Sequence, residues 1–408
     1  MKNEKIDYIV IGGGAAGFFG AIACAQANPD KKIVILEKTQ QLLTKVKISG
    51  GGRCNVTHSC FDPAALVKNY PRGNRNLRGA FSRFQPQDTI EWFKERGIEL
   101  KTEKDGRMFP LSNKSQTIID CLQGEAQKSG VEVLTGVAVK NVTPKEKGFE
   151  LSFSKNPPIT CEKILLASGS NRQVYSWVEA LGHTTESQVP SLFTFNVPTS
   201  PLLELSGASL ENVHLKIAGT SLSQTGPLML THWGFSGPAV LKLSAWGARI
   251  LHDMDYKAKL VINWLPEMNQ EECYHRLLKI KEENAPRSLT SSTPFPIPNK
   301  LWQKLVTLAG FSKEQRWVDL PKKQARKLSE MLISSTYDIN GKTTFKEEFV
   351  TCGGIKLDEV NFKTMESKII PGLYFAGEVL NIDGITGGFN FQNAWTTSWI
   401  AGNAMASA

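Results

Sequence analysis

The sequence predicts an α/β protein in which one domain is built from both ends of the chain and is split by an insert. The apolar, β-branched run Ile6–Ile11 leads into a glycine-rich turn, a helix and a second strand, the order of a parallel α/β unit. Short alternating runs with Pro and Gly from about 189 to 264 indicate β structure, and helical patterns follow over 267–332. After Gly372, a strand, glycine-rich turns and a terminal helix, from about Phe391 to Ala404, complete the first domain.

The first turn carries a G-x-G-x-x-G motif, in front of a helix predicted from Ala15 to about Ala27. In such a turn Gly12 reverses the chain, Gly14 lets the backbone approach a pyrophosphate, and Gly17 lets the helix pack closely on the strand. The N-terminus of the helix also favours negative charge. We therefore predict a Rossmann-like dinucleotide site with contacts from Gly12, Gly13, Gly14, Ala15, Ala16 and Gly17.

The second strand, Ile33–Leu36, ends in Glu37, twenty positions after Gly17. A carboxylate at this point accepts hydrogen bonds from both ribose hydroxyls of an adenosine and repels a 2′-phosphate. The site is therefore predicted to bind FAD or NAD rather than NADP, with Lys38 included beside Glu37.

Later segments favour FAD over NAD. Ser49–Asn55 forms a second glycine-rich loop that brings backbone close to a flat ligand or a phosphate, and Lys45, Lys47 and Arg53 add positive charge there. A chain that returns to its nucleotide domain at the C-terminus fits an extended FAD, and N–H groups at the start of the last helix can face the flavin. The additional cofactor residues predicted are Lys45, Ser49, Gly50, Gly51, Gly52, Arg53, Cys54, Asn55, Val137 beside the adenine, Ala167, Ser168, Gly169, Gly377, Glu378, Asp383, Gly387, Gly388, Phe389 and Asn390.

Five motifs follow one another along nearly the whole chain: Ser49–Asn55, Gly106–Pro110, Thr231–Pro238, Thr351–Gly354 and Thr364–Lys368. Together they resemble the motifs of the bacterial BaiN/RdsA-type flavoproteins, a family of NAD(P)/FAD-dependent oxidoreductases. The resemblance implies non-covalent FAD in a domain of the two-dinucleotide-binding type, split by an insert with a β-barrel-like part and a small helical part. The chain departs from the family at Leu43 and Thr44, where Gly and a basic residue are usual, and at His58, which replaces a common Asn.

These patterns together predict the domain boundaries. An FAD-binding domain is expected over 1–190 and 346–408, re-entered near Phe349. A β-rich insert is expected over 191–264 and 333–345, and a helical insert over 265–332.

Composition limits the possible partners. The 408 residues carry a net charge of +9, which favours nucleic acid, an anionic membrane surface or a phosphorylated cofactor, but is mild enough for a plain solvated surface. The N-terminus imitates a secretory signal, yet Asp7 and the many glycines of Tyr8–Ala25 argue against export. We therefore expect a cytoplasmic protein with no membrane insertion, no preference for nucleic acid and an undetermined oligomeric state.

The seven cysteines are dispersed without a C-x-x-C pair, which favours a reducing compartment and predicts no metal site and no disulfide framework. Cys54 and Cys60 leave a redox couple as an alternative, although a packing role for Cys54 is favoured.

Chemistry beyond the flavin has few candidates. His232, beside Trp233 in the Thr231–Pro238 loop, is predicted as a substrate-facing hydrogen-bond donor, with a backbone-capping role as the alternative. Arg53 and Arg107 are candidate holders of a carboxylate substrate or a nicotinamide phosphate, or else form salt bridges. A second G-x-G-x-x-G is absent, so NAD(P)H must bind transiently over the flavin or in an irregular cleft, or another donor is used.

The leading hypothesis is an FAD oxidoreductase that is reduced by NAD(P)H and reduces an unsaturated or carbonyl small molecule. A flavin dehydrogenase that passes electrons to a quinone or oxygen is the alternative enzyme. An RNA-binding or RNA-modifying flavoprotein rests on the net charge and on the basic segment 322–327, for which an amphipathic helix is the simpler explanation.

Overall fold

The computed structural model describes residues 6–312, 314–343 and 350–407. They form two compact units, one containing the described residues of Met1–Pro190 and Lys346–Ala408 and the other those of Ser191–Phe345. The expected re-entry at Phe349 and the end of the strand expected to reach Phe345 lie outside the described residues.

The first unit opens with the expected strand, glycine turn, helix and strand. Its elements up to the insert are β1 (Tyr8–Ile11), α1 (Ala15–Ala27), β2 (Ile33–Leu36), α2 (Thr44–Gly52), β3 (Thr57–His58), α3 (Pro63–Leu66), α4 (Asn74–Phe81), α5 (Pro86–Lys94), β4 (Leu100–Thr102), β5 (Arg107–Pro110), α6 (Ser115–Lys128), β6 (Glu132–Leu134), β7 (Val139–Pro144), β8 (Phe149–Phe153), β9 (Ile159–Cys161), β10 (Lys163–Leu166), α7 (Arg172–Ala180) and β11 (Thr185–Pro190).

The second unit combines strands with helices. Its elements are β12 (Thr194–Asn196), β13 (Ser209–Ile217), β14 (Ser223–Leu230), β15 (Gly234–Ser236), α8 (Pro238–Trp246), α9 (Ala248–Asp253), β16 (Lys257–Asn263), α10 (Gln270–Glu283), α11 (Asn299–Leu308), α12 (Lys322–Ile333), β17 (Ser335–Asn340) and β18 (Lys342–Thr343). The chain then completes the first unit with β19 (Thr351–Ile355), β20 (Val360–Asn361), β21 (Glu366–Ser367), β22 (Leu373–Phe375) and α13 (Phe389–Ser407).

The main sheet of the first unit has the strand order β20-β21-β22-β10-β1-β2-β6. The strands from β22 to β6 are parallel, with Tyr8 of β1 in register with Ile33 on one side and Lys163 on the other. Because the chain moves outward from β1 in both directions, the carboxyl ends of β1 and β10 border the crevice in which such sheets bind nucleotides. The predicted Rossmann-like α/β fold class is confirmed.

Helices α1 and α13 pack against each other through glycine. A Cβ on Gly402 would lie 2.3 Å from the carbonyl oxygen of Gly20. This close approach holds α13 against α1, although the two helices are far apart in sequence.

The second unit contains one antiparallel sheet with the order β17-β16-β13-β14-β15-β12-β18. The expectation of β structure throughout 189–264 is wrong in one part, because α8 and α9 interrupt it. Pro238 at the first position of α8 is preorganised for a helix, and Ala239, Val240 and Leu243 are buried on one face.

Some predicted boundaries also need refinement. The segment 81–97 contains the last residue of α4 and the helix α5, which begins at Pro86 with a capping box and ends at Lys94. The terminal helix begins at Phe389 rather than near Phe391, so Phe389 and Asn390 belong to its first turn. In the β-rich segment expected over 333–345, β17 and β18 are separated by Gly341, which has a φ of 96°.

The basic segment 322–327 lies on α12, an amphipathic helix that buries Ala325, Leu328 and Leu332. Arg326 on this helix forms an ion pair with Glu271 and lies 4.2 Å from the ring centroid of Tyr274. Within the described part of the chain, the helices are either too short or too polar to cross a bilayer.

Candidate active site

The first glycine turn has the close contacts that its motif requires. Gly12 has a φ of 118°, and a Cβ there would lie 2.5 Å from the carbonyl oxygen of Ala167. A Cβ on Gly17 would lie 1.8 Å from the carbonyl oxygen of Gly12. Gly14, the cap of α1, instead has an open approach, since a Cβ there would meet no atom within 4 Å among its non-neighbours. The backbone is therefore accessible at the position where a pyrophosphate would approach.

Glu37 is held beside this turn. Its Oε2 accepts the Gly13 N–H (2.9 Å), and its Oε1 accepts the N–H and the hydroxyl of Thr39 (2.9 Å each). The Val137 N–H donates to the carbonyl oxygen of Glu37 (2.9 Å), which places Val137 next to the end of β2. Lys38 is exposed. The carboxylate is thus preorganised at the edge where a ribose would lie.

The ends of β10 and β22 meet the same turn. Ala167 N–H donates to the Ile11 carbonyl oxygen (2.9 Å), and a Cβ on Gly377 would lie 3.0 Å from that of Ala16. Glu378 forms an ion pair with Lys45, and its Oε1 accepts the Thr351 N–H (3.0 Å). The Lys45 charge is therefore engaged by a carboxylate within the site.

The second glycine loop departs from helical geometry inside α2. Ser49 is extended, and Gly50 and Gly51 have φ values of 59° and 68°, which glycine adopts without strain. A Cβ on Gly51 or Gly52 would meet no non-neighbouring atom within 4 Å. This loop offers exposed backbone to a ligand, as predicted from its composition.

The loop contacts the start of α13. With its amide oriented to satisfy both neighbours, Asn55 donates to the Thr57 carbonyl oxygen (3.1 Å) and accepts the Gly388 N–H (2.9 Å). Asn390 closes the preceding turn by bonding both the N–H (2.8 Å) and the carbonyl oxygen (2.9 Å) of Gly384. Phe389 is buried and stacks on His58 with ring centroids 4.7 Å apart. Asn390 and Phe389 thereby shape the loop instead of presenting free polar groups.

Asp383 forms an ion pair within the first unit. Its carboxylate is fully buried and bound by Arg72, in an ion pair between residues 311 positions apart. The carboxylate neutralises Arg72, because a buried carboxylate without a partner would be costly. A cofactor contact of Asp383 stays a prediction.

Arg53 and Arg107 are joined through one carboxylate. Glu103 accepts a hydrogen bond from Arg53 Nη1 on Oε1 (2.7 Å) and from Arg107 Nη2 on Oε2 (3.1 Å). Arg107 Nε also donates to Asp105 (2.7 Å). Both arginines belong to the first unit.

The cysteines give no sign of redox chemistry. Among the described residues the cysteines form no disulfide, and Cys54 is fully buried. Burial raises the pKa of the Cys54 thiol to about 12, so the thiol stays protonated at neutral pH. This favours the packing role over a Cys54–Cys60 couple.

His232 lies in the turn between β14 and β15 of the second unit. Its side chain is exposed, and its ring makes no hydrogen bond with the described residues. The turn is closed by Thr231, whose hydroxyl donates to the Gly234 carbonyl oxygen (3.0 Å) and accepts its N–H (3.1 Å). Thr231, not His232, therefore caps the backbone.

A Ser–His–Glu cluster that the sequence did not reveal lies at the edge of the main sheet. His183 Nδ1 is 3.0 Å from Glu359 Oε2, and His183 Nε2 is 2.8 Å from Ser367 Oγ. The Ser367 oxygen also accepts the N–H groups of Ile369 (3.0 Å) and Ile370 (2.8 Å). Ser367 therefore donates its proton to His183 and has no lone pair left for attack on a substrate. Its place in the Thr364–Lys368 motif was the one sequence signal.

The donor set fits a dinucleotide rather than a metal. The described residues contain no group of three or more His, Cys, Asp or Glu side chains suited to a metal ion. The first unit offers open backbone at Gly14, Gly51 and Gly52, a carboxylate at Glu37 next to the first glycine turn, and a carboxylate at Glu378 paired with Lys45. Such groups can hold the pyrophosphate and the hydroxyl-bearing parts of FAD.

Comparison with known proteins places this geometry in context. The family model described as HI0933-like protein Rossmann domain matches residues 6–404. A Clostridium scindens protein named 3-dehydro-bile acid delta(4,6)-reductase is 29% identical, over 97% of this chain and 98% of the relative. An Escherichia coli protein named ribosomal RNA dihydrouridine synthase is also 29% identical, over 99% of both chains.

Solved structures share the fold. The 3-ketosteroid delta1-dehydrogenase of Sterolibacterium denitrificans is similar over 99% of both chains, with a TM-score of 0.54 at 10% identity. A flavocytochrome c3 fumarate reductase in an open conformation is similar over 99% of this chain and 78% of its own, with a TM-score of 0.51 at 15% identity.

Proposed function

Because the chain belongs to the HI0933-like family of Rossmann-domain proteins, we propose that it is an FAD-dependent reductase of carbon–carbon double bonds conjugated to a carbonyl group. The family assignment agrees with the resemblance to BaiN/RdsA-type flavoproteins and makes the chain an FAD-type oxidoreductase. The observation that carries the cofactor assignment is the open backbone at Gly14, with Glu37 beside it, at the crevice of the parallel sheet.

The substrate class is supported by what the two relatives have in common. The name of the C. scindens protein describes reduction of double bonds in a bile acid that carries a 3-oxo group. The name of the E. coli protein describes reduction of uridine, whose ring double bond is conjugated to a carbonyl group. Both names therefore describe reduction of a carbon–carbon double bond that is conjugated to a carbonyl group.

FAD bound in this crevice would supply the hydride chemistry between a nicotinamide donor and the substrate. The chain positions the cofactor: Glu37 receives ribose hydroxyls, and the N-terminus of α1 stabilises the pyrophosphate. Lys45 and Glu378 hold the opposite side of the crevice. His232 stays our candidate for a substrate-facing hydrogen-bond donor, and its side chain is exposed and therefore accessible to a ligand.

Anaerobic reduction of the purified protein tests this function. NADH or NADPH should bleach the flavin absorbance, and 3-oxochol-4-en-24-oic acid should then reoxidise the flavin and gain two hydrogens by mass spectrometry. His232→Ala should slow the reoxidation and leave the bleaching unchanged. A protein purified without flavin would refute the proposal, and a flavin that neither donor reduces would favour the dehydrogenase.

A second candidate is the same reaction on a uracil base of RNA. It is favoured by the net charge of +9 and by the name of the E. coli relative. Ribosomal RNA that lacks dihydrouridine would then reoxidise the reduced flavin, with a rate that falls steeply as salt is added, because binding releases counterions. Reoxidation by the bile acid but not by the RNA would exclude this candidate.

A further inference from the structure

Two arginines stack on one buried ring beside the second glycine loop. The ring centroid of Phe109 lies 4.0 Å from Arg53 Cζ and 5.5 Å from Arg107 Cζ. The same ring contacts the loop, since a Cβ on Gly50 would lie 2.9 Å from Phe109 Cε1. Phe109 is fully buried and therefore provides a rigid base that fixes both guanidinium groups relative to the loop.

The hydrogen bonds of this pair leave one nitrogen of each arginine unused. Arg53 donates through Nη1 to Glu103 and through Nε to the Gly50 carbonyl oxygen (3.3 Å). Arg107 donates through Nη2 to Glu103 and through Nε to Asp105. Among the described residues, Arg53 Nη2 and Arg107 Nη1 thus have no partner. The side chains are 34% and 37% exposed, so a ligand can reach this cluster from solvent.

We propose that Arg53 and Arg107 form a binding site for a phosphate or carboxylate group carried by the electron donor or by the substrate. The assignment rests on the proposed reductase function and deepens it. Two guanidinium groups held at a fixed separation match the oxygens of such an anion better than flexible lysines do. Glu103 lies between them and orients both, because each of its oxygens binds one arginine. Two sources carry this chemistry: the 2′-phosphate of NADPH and an acidic group on the substrate.

The donor arm of the test compares NADPH with NADH in the FAD-loaded enzyme. If the site binds the 2′-phosphate, Arg53→Gln and Arg107→Gln should each raise the KM for NADPH about tenfold, the typical value of one charge-assisted contact, and leave that for NADH unchanged. Arg326→Gln is the matched control. Arg326 also pairs with a glutamate and stacks on an aromatic ring, but it lies in the second unit.

The substrate arm compares an acidic with a neutral enone. If the site binds the substrate, the same variants should raise the KM for 3-oxochol-4-en-24-oic acid. The KM for androst-4-ene-3,17-dione and the KM values for NADH and NADPH should stay unchanged. KM values that stay unchanged in both arms, or that rise equally for charged and uncharged partners, overturn the proposal.

A binding measurement separates this inference from the reaction itself. Calorimetric titration of the FAD-loaded protein with inorganic phosphate needs no turnover, so it decides the site even if neither donor reduces the flavin. Binding should be present in the native protein and in Arg326→Gln, and weakened in Arg53→Gln and Arg107→Gln. Arg53→Lys and Arg107→Lys keep the charge if the glutamine variants lose their fold, and they should also bind phosphate less tightly, because lysine lacks the planar fork. Undiminished binding in the lysine and glutamine variants contradicts the site.

Discussion

The cluster of Ser367, His183 and Glu359 and the cluster of Arg53, Glu103 and Arg107 are each organised by one glutamate, but they differ in what they leave unbonded. In the first, both ring nitrogens of the buried His183 are engaged, and the Ser367 oxygen also accepts two N–H groups. In the second, each guanidinium keeps a nitrogen without a partner among the described residues, and the side chains are about one third exposed.

This difference separates a structural cluster from a candidate binding site. The distances around His183 are those of a nucleophilic triad, yet the saturated Ser367 oxygen stabilises the turn that follows β21. The arginine cluster has ordinary ion-pair distances but retains donors that a ligand can use. The arginine cluster is therefore the candidate binding site because of its unused hydrogen-bond donors, and not because of a familiar arrangement of residue types.

The largest expected effect is a loss of stability at His183. His183→Leu removes two buried hydrogen bonds and leaves Glu359 and Ser367 without their shared partner, so the free energy of unfolding should fall by about 3 kcal/mol. Urea unfolding of the FAD-saturated protein measures this. His275→Leu is the control, since His275 also pairs with a glutamate but is exposed, and it should change stability by less than about 0.5 kcal/mol. Equal effects in the two variants would contradict the structural role.

The same cluster predicts a pH dependence. Burial lowers the pKa of His183 more than its hydrogen bond to Glu359 raises it. Below the ordinary histidine pKa of about 6.5, the unfolded chain binds a proton that the folded chain resists, so stability should decrease as the pH falls from about 7 to 5. Glu359 does not contribute to the loss of stability between about pH 7 and 5, because it stays ionised there. Burial opposes its ionisation, but hydrogen bonds from Thr184 and His183 keep its pKa below the ordinary value.

Urea unfolding at several pH values checks this expectation. The native protein should lose more stability between about pH 7 and 5 than His183→Leu does. If the free energy of unfolding of His183→Leu falls with pH as steeply as that of the native protein, other groups account for the pH dependence.

Of the two clusters, the arginine cluster should show the smaller stability effect. Arg107→Gln removes two partly exposed ion pairs, with Glu103 and Asp105, so the free energy of unfolding should change by less than about 1 kcal/mol, even though anion binding weakens. Thermal or urea unfolding measures the stability of this variant, and the phosphate titration measures its anion binding. A large loss of stability would mean that Arg107 stabilises the fold as His183 does, and the two clusters would then not differ in role.

Much of the first unit follows from local sequence. The turn at Gly12, Gly14 and Gly17 and the acid at Glu37 have spacings set by a strand, a tight turn and a helix, so their geometry is determined within a few dozen residues. The sequence likewise predicted the open second loop, because Gly50 and Gly51 adopt positive φ values there.

The pairing of distant side chains was decided only by the tertiary structure. Packing places Asp383 against Arg72, 311 positions away. His183 meets Glu359 and Ser367 across separations of 176 and 184 positions, and no local pattern encodes such a meeting. The sequence by itself thus determined where backbone is left open for a dinucleotide, since steric limits on glycine act locally. The packing of distant segments decides which charged side chains form ion pairs and which stay available to a ligand. Only the tertiary structure shows this.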